Sequence, residues 1–519
     1  MSLQSHAYKL LCKLYNSVLR RMRVTQWLLD HGIRPHKGEM VAQPAVAAVA
    51  RAELLEPRLL LTSTLHWDPD GNAGNGYGGN GTWSSSATVW YDEGTQTHVA
   101  LASGDTGVFD GTAGTVTISG SVEAGAFTFS TTGYAITGGT SLAFSTGGGT
   151  VSVASGASVT INSVISGSVG LTKSGSGALT LGGSNTYSGD TTISAGTLKI
   201  GASGVIPDGY GKGNVSVSGT LDLNGYGETV NGLSGSGTVD NNSGSGTYTL
   251  TVGGNDTTST FSGVIQNTSG TIALTKTGAG TLTLSGNNSY SGSTSINTGV
   301  LNIQHANALG GTGSGTTVVA DAALEIQGGI TTAAEPLTLN GTGYCCGGAW
   351  RNVSGNNTFA GAVSLGSASR INSDSGTLTL NSGTAIGGTY NLAVGGSGNV
   401  SISSAIGTGS GTLTKDGSGK LTLTGNNTYT GTTTVNEGTL NVQHANALGG
   451  TSSGTVLAGG TVEIQGGITT AAEPVTFCCC GGTWRNVSGN NTFTGPVTMN
   501  SAATFESDSG TLTLDSSTA

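Results

Sequence analysis

Three stretches of this sequence align with one another without gaps, and such self-similarity has to be read before any local motif. Leu171-Thr-Lys173-Ser-Gly175-Ser-Gly177-Ala-Leu179-Thr-Leu181 continues through Asn185-Thr-Tyr187-Ser-Gly189 to Gly196-Thr-Leu198-Lys-Ile200, and it recurs at 274–303 and 413–442. Lys173, Lys276 and Lys415 are equivalent, 103 and 139 residues apart, as are Tyr187, Tyr290 and Tyr429. The last two copies also share Gln304–Gly310 with Gln443–Gly449 and Trp350–Asn357 with Trp484–Asn491, so a long unit has been duplicated.

Within each copy the period is two. Leu282 and Leu284 alternate with Thr281 and Thr283, and Leu301 and Ile303 flank Asn302, the pattern of half-buried strands. Gly-Asn-Asn and Ser-Gly steps supply turn residues every few positions. Leu179 to Leu198, Leu282 to Leu301 and Leu421 to Leu440 are each 19 residues apart, which suits one coil of a β-solenoid. Glycine fills 92 of 519 positions, yet without the every-third-residue period of collagen, and 35% of the chain is hydrophobic, which excludes charge-driven disorder. The spacing predicts an all-β, right-handed parallel β-helix over residues 65–519 with almost no α-helix. At ~20 residues per coil and ~4.8 Å between strands, that is about 23 coils and a rod on the order of 110 Å long.

Net charge is −10 and unevenly placed: residues 1–60 carry nine Lys/Arg against four Asp/Glu, leaving nine against 24 in residues 61–519. An acidic body has no basic stripe to neutralise phosphates, so no nucleic acid is expected as a partner. No apolar run reaches the roughly 18 residues of a transmembrane helix. Residues 7–31 read as a basic amphipathic helix, with Leu11, Leu14, Val18 and Met22 on one face and Gly32 to end it. The predicted organisation is a basic leader (1–64), a first solenoid segment (65–160), a repeat segment (161–273), long unit 1 (274–412) and a truncated long unit 2 (413–519). A full second unit is expected to run roughly 27 residues beyond Ala519.

Two resemblances follow from these residues. Glu53-Leu54-Leu55-Glu56-Pro57-Arg58-Leu59-Leu60-Leu61 resembles the LEPR-XLL segment of large bacterial surface proteins. The pattern Leu-Thr-Lys-x-Gly-x-Gly-x-Leu-x-Leu with its Asn-x-Tyr-x-Gly continuation resembles the autotransporter-associated β-strand repeat of bacterial passenger proteins, and 67–144 is similar to the start of such passengers. The resemblance implies an extracellular or cell-surface bacterial protein. It carries no single activity, because the family is functionally diverse. Autotransporters end in a membrane-embedded β-barrel, and nothing in this sequence resembles one.

Candidate chemistry is sparse. No Asp-Asp pair occurs, and the acids are read as solvated turn or capping residues. Asp68-Pro69-Asp70-Gly71-Asn72 places oxygens at alternate positions as a calcium loop does, but Ala73 stands where that loop needs glycine and Gly79 where it needs a bidentate Glu, so it reads as a turn. Gly417-Ser418-Gly419-Lys420 lacks the following Ser/Thr of a phosphate loop. His305 and His444 are placed in turns. Tyr187, Tyr290 and Tyr429, several coils apart, are assigned to local packing rather than to a sugar platform. Cys345-Cys346 and Cys478-Cys479-Cys480 occupy equivalent places some 30 Å apart by coil arithmetic, too far to pair with one another, and their role is left open. No catalytic residue, cofactor or metal is assigned.

The chain is therefore expected to be a non-enzymatic stalk, adhesin or envelope component, with glycans or neighbouring cell-surface components as partners and edge-to-edge self-association open to it. The alternatives are a polysaccharide-acting β-helix enzyme or a fragment of a larger surface protein.

Overall fold

A computed structural model describes residues 62–516. The basic helix expected over 7–31 and the LEPR-XLL-like segment lie outside the described residues. Within 62–516 the chain is a parallel β-solenoid of about 19 turns. Among the described residues there is no α-helix, only two short 3-10 turns, Ala73–Asn75 and Tyr344–Cys346, and no helix is long and apolar enough to cross a membrane.

The 19-residue spacing is one turn of the stack: Leu179 pairs with Leu198, Leu282 with Leu301 and Leu421 with Leu440. Other turns differ, from 18 residues between the partners Val215 and Leu233 to 42 between Thr64 and Thr106. Loops inserted between strands lengthen the mean turn, so the stack has fewer coils than 19-residue spacing predicts and is shorter, on the order of 90 Å.

Strand alternation drives the burial. In Leu171–Ser174 and Ala178–Leu181 every second side chain points into the core, where apolar residues from successive turns stack in columns. Early turns are filled by rings: Trp67, Trp83, Trp90, Phe109 and Phe127 pack edge to face in series. Here the strand Thr64–Trp67 pairs in parallel with Thr106–Phe109 on one side, and on the other an antiparallel hairpin, Trp90–Asp92 and Thr97–Val99, extends the sheet.

The repeats do not stack directly over one another. Leu282 pairs in sequence with Leu301, Leu324, Trp350, Ile371 and Val394, and that column then reaches Lys415. A position that is leucine in the second copy thus leads to the lysine of the third. The 139-residue separation is not a whole number of turns, and each copy is rotated onto another face of the solenoid relative to the last.

Candidate interaction surface

The repeat motif's polar residues are spent inside the solenoid. Alternation in Leu-Thr-Lys places the lysine on the same inward side as the leucine, and Lys173, Lys276 and Lys415 are 0 to 1% exposed. Each ammonium caps the turn that follows. Lys173 Nζ donates to the carbonyls of Ser174 (2.7 Å), Gly175 (2.7 Å) and Ala195 (3.2 Å), the last from the next coil. Lys276 does the same to Thr277, Gly278 and Thr298, and Lys415 to Asp416, Gly417 and Glu437. Desolvation pushes all three ammonium groups down to about 8. Gly196 is required opposite this clamp. Its φ is 64°, and a Cβ there would strike the carbonyls of Gly175 and Gly177 and lie 2.8 Å from the Lys173 ammonium.

Asn185, Asn288 and Asn427 tie three coils together. Asn288 Oδ1 accepts from the Ile265 amide of the coil before, and its Nδ2 donates to the Ala308 carbonyl of the coil after. Asn185 and Asn427 repeat the bridge between Ile165 and Val205 and between Ile406 and Ala447. The tyrosines are buried, each hydroxyl hydrogen-bonded to a threonine four residues on: Thr191, Thr294 and Thr433. Local packing is therefore where the structure places Tyr187, Tyr290 and Tyr429. His305 and His444 lie in turns after the strands ending at Ile303 and Val442, their Nδ1 atoms accepting from the amides of Asn307 and Asn446.

Among the described residues, eight acids depart from the solvated-turn expectation by being buried: Asp68, Asp105, Asp222, Asp240, Glu463, Glu228, Glu335 and Glu473. Glu335 and Glu473 accept from the hydroxyls of Thr316 and Thr455, and Glu228 accepts from the consecutive amides of Gly204, Val205 and Ile206. Loss of solvent raises their carboxyls to about 7 for Glu228 and Glu335 and about 8 for Glu473. The duplicated Ala-Ala-Glu-Pro string was the only sequence signal for two of them, and it carries no alternation from which burial could be read.

On the outside, polar ladders follow the strand register. Glu325 pairs with Arg351 (2.8 Å), and Arg351 also binds Asp374. In the second long unit Glu463, Arg485 and Asp508 repeat the arrangement. Arg370 forks onto Asp416, Lys420 binds Glu463, Lys199 lies 3.4 Å from Asp222, and Lys212 donates to the Thr186 carbonyl. All nine basic residues of the body are thus engaged within it. The lysine of Gly417-Ser418-Gly419-Lys420 is committed to a carboxylate rather than to a phosphate-binding turn.

Asp70 of the calcium-like loop is used by its own turn: its two oxygens accept from the Asn72 amide and the Asn75 side chain, which hold its carboxyl below the usual range. Nearby, His66 stacks on Tyr77 at 4.5 Å, and His66 and His98 bind Asp110 and Asp68 at 2.8 Å. Among the described residues, no three His, Cys, Asp or Glu side chains converge on a common metal position. Loops present exposed tyrosines: Tyr210 is fully exposed at the tip of Pro207-Asp208-Gly209-Tyr210-Gly211, and Tyr226 and Tyr390 are partly so. At the last coil, Met499, Phe505 and Leu514 continue the inward columns of Phe477, Trp484 and Phe493 but are exposed.

Comparison with known proteins agrees with this reading. The Passenger-associated-transport-repeat family model matches residues 171–200, 274–303 and 413–442, the three aligned copies. The chain is also similar to the Adhesin BmaC autotransporter of Brucella suis biovar 1 (strain 1330), 42% identical over 124 residues, which is 23% of this chain and 3% of that relative. The chain thus spans only a small part of the relative it matches. No solved structure matches it. The chain thus carries three passenger-associated repeats on a β-solenoid and is similar in part to an autotransporter adhesin, which indicates a protein at the bacterial cell surface or outside it.

Proposed function

We propose that the body is a non-catalytic adhesive stalk. The observation that carries this reading is the internal use of its chemistry: the repeat lysines and asparagines bond coil to coil, the repeat tyrosines are buried against threonines of their own coil, and the outward basic groups are engaged in ladders. What is left to face other molecules is a regular polar flank with more acids than bases and a few projecting tyrosines. Such a surface binds through many weak contacts held at fixed spacing, where valency rather than a single pocket sets the strength. Glycans of neighbouring cells suit it, since sugars stack on exposed rings and hydrogen-bond to Asn, Thr and Asp. The adhesin similarity supports the same reading.

The test is binding of purified chain, coated on beads at several densities, to cells and to immobilised neutral and acidic glycans. Adhesion that rises steeply with density and falls when Tyr210, Tyr226 and Tyr390 are changed together to Ala supports the stalk. Turnover of a polysaccharide into shorter products would instead establish the enzyme reading.

A further inference from the structure

The cysteine run Cys478-Cys479-Cys480 lies in the turn between the strands Val475–Phe477 and Gly482–Ser488. Adjacent side chains in a strand point to opposite faces, so neighbouring thiols meet only where the chain leaves that geometry. Here it does. Cys479 has φ 60°, a region L residues rarely adopt, and the Sγ atoms of Cys478 and Cys479 are 3.1 Å apart. Cys479 and Cys480 are exposed and Cys478 is half-buried. The hydrogen bond from Cys479 raises the Cys478 thiol above its ordinary value, the direction expected when two thiols share a site.

We infer that Cys478 and Cys479 form a reversible vicinal disulfide in the exported protein, leaving Cys480 as a thiol. Outside the cell, thiols are not held reduced, and a small-molecule disulfide is a sufficient oxidant. The exposed Cys479 thiolate attacks one sulfur of oxidised glutathione, forming a mixed disulfide and releasing one glutathione thiolate. Cys478, its proton passing to water, then attacks Cys479 Sγ, breaking the mixed bond, closing the Cys478–Cys479 bond and releasing the second glutathione. Two thiol protons and two electrons leave the protein, and the glutathione disulfide is reduced to two thiols. Adjacent Cα atoms are ~3.8 Å apart, below the ~4.4 Å at which ordinary disulfides begin, so the ring is strained and readily reopened. The turn is thus a redox clasp.

The experiment equilibrates the full chain in glutathione buffers from reducing to oxidising, quenches with acid, alkylates remaining thiols and reads the mass of the peptide bearing residues 478–480. The expected result in oxidising buffer is loss of two hydrogens within that peptide and one alkylated cysteine, reversed in reducing buffer. The loss persists in Cys480→Ser and disappears in Cys478→Ser and Cys479→Ser, with an unchanged far-ultraviolet spectrum showing that each variant folds. Three alkylated cysteines in the most oxidising buffer, disulfide-linked dimers in place of the internal loss, or a loss that survives in Cys479→Ser would overturn the assignment.

Discussion

A buried lysine is normally a liability, and three of them at repeat-equivalent positions need a reason. Each ammonium satisfies carbonyls that the turn after its strand would otherwise bury without partners. Lys276→Met keeps the stem's volume but orphans those carbonyls, so it should lower unfolding stability by roughly 2 to 4 kcal/mol, read as a drop in the urea midpoint. Gly196→Ala should cost at least as much, because strain at positive φ adds to collision with the clamp. The titratable interior also sets a pH profile. Glu335 and Glu473, raised from 4.5 to about 7 and about 8, hold their protons more tightly folded than unfolded. Their stabilising contribution is therefore complete below 4.5 and is lost as pH rises to about 8, on the order of 3 kcal/mol per group. The lysines, lowered from 10.5 to about 8, act in the other sense: their penalty is full below about 8 and is relieved between 8 and 10.5. Stability measured from pH 5 to 10 should pass through a minimum near pH 8, and Glu335→Gln/Glu473→Gln should flatten the falling limb. None of this was legible in advance. Alternation in Leu-Thr-Lys puts the lysine inward with the leucine while its charge argues for solvent, and the carbonyls that reconcile the two belong to a turn and to the next coil, which no strand pattern displays.

At the scale of strands and turns, far more could be read. Alternation placed Leu179, Leu282 and Leu421 inward, and the 19-residue spacing proved to be true pairing partners. The count of coils was not legible, because loops such as 207–211 add length without adding strands, and composition does not separate a short turn from a long one. Asn288 is the element-scale tie, since one side chain bonds the coils on both sides of its own. Asn288→Leu should leave a buried amide and a buried carbonyl unpartnered and cost about 2 to 4 kcal/mol. Hydrogen exchange should show the amide of Ile265 losing protection first, ahead of amides several coils away.

For the molecule as a whole, the rotation of one copy against the next means that no face presents the three repeats in line, so the duplication extends the stack rather than multiplying a site. Because repeat-equivalent strands are interchangeable in register, excising residues 274–412 should join Ala273 to Leu413 with Leu250 pairing to Leu413 as it now does to Leu274. The shortened chain should fold with the same β-sheet spectrum per residue and a proportionally smaller radius in solution; loss of the sheet signal would refute the modularity. The backbone ladder has a mechanical consequence as well. Its hydrogen bonds run along the axis from coil to coil, so tension applied at a chain end peels strands away a few bonds at a time instead of shearing a whole sheet at once. A tether built this way yields gradually, lengthening by one coil of chain per step, and its firmest steps should fall where a lysine at 173, 276 or 415 fastens a coil to the next. In the adhesive role proposed above, a cell dragged by flow would be held by a line that pays out under load and rewinds when the load is gone.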